Sequence, residues 1–160
     1  MDSNKRWETI NRGFALQKEG KWEDSISAFA QCIGKGGNDE VLKERIALSK
    51  LVLRNYSKAF ELTINILEVD PEMHLTLKIA GECCLHLGNF AKAKQYSQRA
   101  SVFDPYDIST LNCLGYTAYT EGNLEKAKQL LHKSLELRPT NNAAELYLGH
   151  INVRKETKNN

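Results

Sequence analysis

Cysteine and histidine side chains are the groups in this sequence best suited to chemistry, because both can bind a metal ion. Cys83 and His86 lie three residues apart, a spacing that places two side chains on one face of a helix. A structural zinc ion takes four ligands, and none of the other histidines lies three or four residues from a second histidine or a cysteine. The pattern favours a packed cysteine beside a partly exposed histidine, and we predict no metal site.

The run Ile33-Gly34-Lys35-Gly36-Gly37 invites a second chemical interpretation, a loop that binds phosphate. It lacks the G-x-x-x-x-G-K-[ST] order of such loops and a preceding strand, so it indicates a flexible turn. No nucleophile, base and orienting acid can be assembled from the remaining residues. We therefore predict no catalytic residues, no cofactor and no enzymatic activity.

Composition is that of one soluble globular domain of 160 residues, with 41% hydrophobic and 26% charged side chains. The net charge of +2, with both signs interleaved, argues against binding to nucleic acid or to an anionic membrane. We expect no signal peptide in the polar first ten residues and no membrane insertion, since no apolar run approaches eighteen residues. Cys32, Cys83, Cys84 and Cys113 form no C-x-x-C motif, which favours the reducing cytoplasm.

An internal repeat of 34 residues is the strongest feature of the sequence. Four ladders share this period without an insertion. The prolines are Pro71, Pro105 and Pro139. The small residues are Gly13, Ala47, Gly81 and Gly115, and a second small series is Ser25, Ala59, Ala93 and Ala127. The bulky residues are Trp22, Tyr56, Phe90 and Leu124.

Each ladder has a physical reason if every unit is a pair of crossing helices. Small residues allow close crossing, with Gly115 facing Ala127 and Gly81 facing Ala93, and leucine at either glycine is expected to overpack the crossing. The first helix of a unit is predicted to end at Gly20, Gly88 or Gly122, and the prolines stop the second helix. Capping residues are predicted at Asn89 and Asn123 for second helices, and at Asp39, Asp107 and Asn141 for first helices, with Met73 in the remaining slot.

The pattern resembles the tetratricopeptide repeat, whose signature is clearest in Leu114-Gly115, Gly122, Ala127, Leu131 and Pro139. The resemblance implies an all-α, right-handed α-solenoid of four helical hairpins in a single domain, 1–160. The repeats are 6–39, 40–73, 74–107 and 108–141, followed by a capping helix at 142–157. The second unit departs from the pattern, because Arg54 replaces the hairpin glycine and Lys43 and Lys50 occupy positions that are usually core. The turn near Gly36 is predicted to be the most flexible joint.

The same resemblance implies that the first helix of each hairpin lines a concave groove. A stripe on these helices carries large apolar side chains, and we predict that it binds a protein or peptide partner. The predicted partner-binding residues are Trp7, Ile10, Phe14, Val41, Leu48, Leu51, Leu75, Leu85, Tyr116 and Tyr119. The alternative is that Trp7, Ile10 and Phe14 simply pack against the chain's own ends or a second copy.

Some tetratricopeptide proteins hold the terminal carboxylate of a chaperone with a Lys-Asn-Asn-Lys-Arg clamp. In the first register the clamp slots hold Ile10, Phe14, Arg45, Leu75 and Ile79, and in the second they hold Glu44, Leu48, Ile79, Ser109 and Cys113. Neither set can bind a carboxylate in a bidentate manner, so a chaperone adaptor of this type is excluded.

Two functions are consistent with these observations. The first is a non-catalytic adaptor or scaffold that binds an apolar or amphipathic segment of a partner in the groove. The alternative is a structural scaffold that forms homo-oligomers through its apolar N-terminal face. Light scattering distinguishes them, because a concentration-independent monomer removes the alternative.

Overall fold

The computed structural model describes residues 2–35 and 39–158, with side chains described as far as residue 153, and this part of the chain is helical with short turns. The joint predicted near Gly36 lies outside these residues. No helix in the described part combines the length and the apolar character needed to span a membrane. The helices are α1 (Ser3–Lys18), α2 (Trp22–Ala30), α3 (Asp39–Val52), α4 (Tyr56–Val69), α5 (His74–His86), α6 (Phe90–Phe103), α7 (Ile108–Thr120), α8 (Leu124–Leu137) and α9 (Asn142–Lys158).

These helices stack as a solenoid of consecutive hairpins, as the repeat predicts. The hairpins are α1–α2, α3–α4, α5–α6 and α7–α8, and each even-numbered helix also packs against the odd-numbered helix that follows it. The odd-numbered helices contact one another directly along one side, α3 with α5, α5 with α7, and α7 with α9. We call the surface formed by the odd-numbered helices the inner face and the surface formed by the even-numbered helices the outer face. The division into one domain with the repeat boundaries given above remains a prediction.

The turn inside each hairpin requires a left-handed residue, and glycine supplies it in three of the four hairpins. Gly20, Gly88 and Gly122 have φ values of 75°, 75° and 83°, which confirms the predicted helix ends. Arg54 takes the same place after α3 with a φ of 59°. The second hairpin therefore keeps the turn geometry of the others although its residue has a Cβ atom that disfavours it.

Replacing Arg54 with glycine is expected to raise the free energy of unfolding by about 0.5–1 kcal/mol, because the strain of the left-handed conformation exceeds the extra flexibility of glycine in the unfolded chain. Urea denaturation provides the measurement. Gly88→Arg is the matched control, and it is expected to lose a similar amount. An unchanged urea midpoint for Arg54→Gly would show that the turn carries no strain.

Side-chain caps begin several helices where the sequence predicts them. Asn89 accepts a hydrogen bond from the Lys92 amide at 3.3 Å and Asn123 accepts one from the Lys126 amide at 3.2 Å. Asp107 caps α7 by accepting from the Thr110 amide at 2.8 Å. The predicted cap at Asp39 is wrong, since α3 already includes this residue and its carboxylate instead accepts from the Gly34 amide at 2.8 Å.

Close crossing of the two helices within a hairpin depends on the small-residue ladder. A Cβ atom on Gly115 would lie 2.8 Å from Cγ of Leu131, and one on Gly13 would lie 2.6 Å from the Phe29 ring. The predicted neighbour Ala127 contributes its backbone carbonyl at 3.5 Å, so the closest side chain lies four residues further along α8 than expected. Phe29 and Leu131 are fully buried, and the glycines make room for them.

The last helix, α9, packs against α8 and α7 and buries Ala144 and Ile151 completely. Gly149 continues the glycine ladder 34 residues after Gly115, yet nothing lies within 4 Å of the position that its Cβ would take. Glu145 and Asn152 are exposed on this helix, as expected for its outer side, but Leu146 is exposed as well at 58%. The glycine ladder therefore extends one helix further than the packing that explains it.

Candidate functional site

The ten residues predicted to face a partner differ widely in exposure. Trp7 and Val41 are exposed at 62% and 37%, whereas Ile10 and Leu51 are buried at 5% and 9%. The remaining six are half-buried, and they are Phe14, Leu48, Leu75, Leu85, Tyr116 and Tyr119. The stripe is thus partly core and partly surface, and binding of a partner by any of these residues remains a prediction.

Ile10 and Leu51 need correction as predicted contact residues. Ile10 lies in a core cluster with Phe29 and Leu42, and Leu51 packs with Ala59 and the residues around it. Positions three residues apart differ by about 60° around a helix, so the second position of the stripe turns beneath the neighbouring odd-numbered helix. Ile10 leaves no useful surface for a partner, and Leu51 leaves only a narrow edge.

The inner face at α1 is closed by contacts within the chain. The Phe14 ring packs edge-on against Phe29 with centroids 5.2 Å apart, and the Arg45 guanidinium lies 5.3 Å from its centroid. The Gln17 amide donates to the Arg45 carbonyl at 3.0 Å and to the Ser49 hydroxyl at 2.9 Å. These contacts favour the packing alternative for Phe14.

An aromatic cluster occupies the opposite end of the inner face. The ring of Tyr116 lies 4.5 Å from that of Tyr147, 5.7 Å from Tyr119 and 5.8 Å from Phe90. Burial raises the pKa of Tyr147, and the neighbouring Tyr116, Cys113 and Glu82 raise it further. The cluster is held in place from α6, α7 and α9 and still leaves its tyrosines half-buried.

Two clefts open on the inner face. The C-terminal cleft, between α5, α7 and α9, has a volume of about 340 Å³, and its walls include Leu85, Asn112 and Tyr147. The N-terminal cleft, between α3 and α5, has a volume of about 510 Å³, and its walls include Leu48 and Tyr56. Glu82 and His86 line both clefts, so α5 is the wall that the clefts share.

Polar pairs join successive odd-numbered helices beneath these clefts. The Lys78 ammonium is paired with Asp107, and the Asn112 and Asn141 amides bond to each other at 3.0 and 3.2 Å. Lys78 and Asp107 are each 34 residues before Asn112 and Asn141, so one interaction is repeated with different chemistry. The sequence period contains this signal, although the apolar stripe drew attention away from it. By contrast, no periodic signal marks His86, which stacks on Tyr56 with centroids 4.3 Å apart.

The cysteines lie in the core. Cys83 and Cys113 are buried, and burial raises the pKa of each thiol to about 12. Burial likewise raises the pKa of Cys84 to about 11. Within 2–35 and 39–158 no group of three or more His, Cys, Asp or Glu side chains is arranged to hold a metal ion. Since a nucleophilic or metal-bound cysteine must be a thiolate, these three thiols are chemically inert at neutral pH.

Comparison with known proteins places this architecture. Residues 109–141 match the sequence profile described as tetratricopeptide repeat, and the search of curated proteins found no match. Among solved structures, MamA 41-end from Desulfovibrio magneticus RS-1 has a TM-score of 0.80 at 19% identity, covering 96% of this chain and 87% of its own. TTC0263, a thermophilic tetratricopeptide protein of Thermus thermophilus, has a TM-score of 0.73 at 19% identity, with coverages of 91% and 82%. YrrB, described as a tetratricopeptide protein with an unusual peptide-binding site, has a TM-score of 0.69 at 17% identity, with coverages of 89% and 74%.

The profile match falls on α7 and α8, the hairpin in which the predicted signature is most complete. The structural likeness extends over nearly the whole chain, which includes the less regular second hairpin with Arg54. At these identities the likeness establishes the fold and says nothing about a shared partner. On its repeat and its fold, the chain is a tetratricopeptide repeat protein.

Proposed function

We propose that this protein is a non-catalytic adaptor that binds a segment of a partner protein on the C-terminal half of its inner face. The observation that supports this most directly is the C-terminal cleft, which places the half-buried Tyr147 and Leu85 beside the polar Glu82 and Asn112. Apolar walls with a few convergent polar groups are typical of binding sites. A carboxylate clamp for chaperones is no part of the proposal, because the clamp slots lack the required cations.

The segment that fits this surface is amphipathic. Tyr116 and Tyr119 form an apolar wall that gains from further burial, whereas Glu82, Asn112 and Ser109 require polar partners. The N-terminal half is less suitable, because Phe14 and Gln17 are engaged with the chain's own side chains. We therefore narrow the predicted binding residues to Leu48, Leu85, Tyr116 and Tyr119, and add Tyr147.

Nucleic acid is a poor candidate for the partner. The basic side chains of α6 are engaged within the chain, with the Lys94 ammonium 2.8 Å from the Glu121 carboxylate and the Lys92 ammonium 5.7 Å from the Phe60 centroid. A cationic stripe free to neutralise phosphates would be needed for such binding. Cytoplasmic location also remains a prediction.

Filling the C-terminal cleft is expected to weaken partner binding at least tenfold. Ala143 is a half-buried residue on the cleft wall, and Ala143→Trp places a large ring in the space that the partner segment would occupy. The test is affinity purification with cross-linking, which identifies the bound protein and its segment, followed by titration calorimetry with that segment. Gln95→Trp, on the exposed outer face of α6, is the matched control. Equal affinity of the two variants would eliminate the inner face as the binding surface.

Self-association is the second candidate, and the exposure of Trp7 at 62% and Val41 at 37% on α1 and α3 favours it. Large exposed apolar residues near one end of a solenoid are suited to pairing with a second copy. Light scattering over a range of concentrations decides the matter, since a constant monomer mass removes this candidate.

A further inference from the structure

Glu82 is the central polar group of the inner face. It lies on α5, is half-buried and lines both clefts. Its Oε2 atom accepts a hydrogen bond at 2.8 Å from the Ser109 hydroxyl on α7, which holds the carboxylate in one orientation. The described residues supply no partner for Oε1 and no ion pair for this carboxylate, so one oxygen remains available to a ligand.

The other charges around the C-terminal cleft do not neutralise Glu82. Asp107 is occupied by Lys78 and by the amide and hydroxyl of Thr110. Arg138 lines the cleft from the end of α8, where it is exposed to solvent, and it forms no ion pair with Glu82. Exposed charges are screened by water and salt far more than half-buried ones. The half-buried part of the cleft therefore carries an uncompensated negative charge.

Aromatic rings stand on both sides of this carboxylate. Tyr147 lines the C-terminal cleft beside Glu82, and Tyr56 lines the N-terminal cleft beside it. The charge of Glu82 reaches the Tyr147 hydroxyl, because Glu82 is one of the groups that raise the pKa of that tyrosine after burial itself. Tyrosine faces attract cations, and a carboxylate forms its strongest hydrogen bonds with cationic donors.

We propose that the cleft around Glu82 is a subsite for a lysine or arginine side chain of the bound polypeptide, with Tyr147 as its aromatic wall. This inference rests on the proposed function, since it specifies the chemistry of the segment that the inner face binds. The ammonium or guanidinium group bonds to Oε1 of Glu82, and its aliphatic stem lies along Tyr147 and Leu85. The selectivity is opposite in charge to that of a carboxylate clamp.

The test uses three blocked pentapeptides as probes, in which a central lysine, norleucine or glutamate is flanked by alanines. Each is titrated at millimolar concentrations into the full ¹⁵N-labelled chain while amide chemical shifts are recorded. The lysine peptide is expected to give saturable shifts at Glu82, Ser109 and Tyr147, with an affinity at least fivefold above that of the norleucine peptide. Glu82→Gln keeps the size and the Ser109 contact but removes the charge, and it is expected to abolish this preference.

Glu68→Gln, on the exposed surface of α4, is the matched control and is expected to bind as the parent chain does. Equal affinity for lysine and norleucine, shifts outside the cleft, no saturable shift, or an unchanged preference in Glu82→Gln would each overturn the subsite. The two proposals fail separately. If Ala143→Trp abolishes partner capture while Glu82→Gln changes nothing, the inner face binds a partner by other chemistry. If lysine selectivity depends on Glu82 while Ala143→Trp leaves partner capture intact, the subsite stands and the adaptor role is wrong.

Discussion

Replacing Gly115 with leucine is expected to lower the free energy of unfolding by about 3 kcal/mol, the upper end of the usual cost of overpacking. A single Cβ atom there would lie 2.8 Å from Cγ and 2.9 Å from Cδ2 of Leu131, which is fully buried and has no room to withdraw. The remaining leucine atoms would force α7 and α8 apart. Urea denaturation measures the loss, and amide hydrogen exchange is expected to show that it is concentrated in these two helices, because repeat units are stabilised mainly by their neighbours.

The chain provides a matched control for this change. Gly149 occupies the same ladder position one repeat later and has nothing within 4 Å of its Cβ position, so Gly149→Leu introduces the same side chain without a clash. It is expected to leave stability unchanged or to raise it by up to about 1 kcal/mol through better helix propensity. If both leucine variants lose the same free energy, close helix crossing is not the reason for the glycine ladder.

A compensating substitution tests the same contact from the other side. Leu131→Ala alone opens a cavity and is expected to cost about 2–5 kcal/mol. In the double variant the new leucine on α7 fills that cavity, so the two losses are expected to fall short of additivity by at least about 1 kcal/mol. Strict additivity would mean that residues 115 and 131 do not share the same space.

Local features of the fold were predictable because they depend on residue type at a single position. A left-handed turn needs glycine, and a free helix end needs a side-chain oxygen, as Gly88 and Asn89 illustrate. Arg54 marks the limit of this reasoning, since the stacking of α3 and α4 imposes the turn on a residue that does not favour it. Packing of neighbouring helices therefore overrides local preference at that point.

The candidate site was less predictable, because exposure on the inner face depends on how each odd-numbered helix lies over the next. A stripe drawn at regular spacing treats Ile10, Leu48 and Tyr116 alike, yet the first is buried and the other two are half-exposed. The clefts arise from the separation of three helices, which no single residue encodes. Tyr147 and His86 belong to the cleft walls for this reason, although neither stands out in the sequence.

The Lys78–Asp107 pair was readable from the repeat, and it leads to the second large effect. Asp107 performs two tasks, since Oδ1 accepts from the Thr110 amide at 2.8 Å and caps α7 while Oδ2 is paired with the Lys78 ammonium on α5. Asp107→Ala removes both and is expected to cost about 2–3 kcal/mol, of which about 1 kcal/mol is the cap and the rest is the half-buried ion pair. Asp107→Asn keeps the capping oxygen and is expected to cost about 1 kcal/mol.

The ion pair also predicts how stability depends on pH. Burial alone would raise the pKa of Asp107, but the bonds from Lys78 and Thr110 outweigh it and hold the pKa below the ordinary value of 3.8. A carboxyl group whose pKa is lower in the folded state contributes stability above its unfolded pKa and loses it as the pH falls through the folded one. The advantage of the parent chain over Asp107→Asn is therefore expected to be complete near neutral pH and to shrink below about pH 4.

The next repeat supplies the decisive variant, because Asn112 and Asn141 occupy the positions of Lys78 and Asp107 and bond to each other without charge. The double variant Lys78→Asn, Asp107→Asn copies that pair and keeps an oxygen for the cap. It is expected to recover most of the stability lost in Asp107→Asn and to show a flatter pH profile than the parent chain. Urea midpoints at about pH 7 and at about pH 3 give the measurement, since the carboxyl group titrates between them. If the difference between parent and Asp107→Asn is the same at both pH values, the ion pair does not stabilise the contact between α5 and α7.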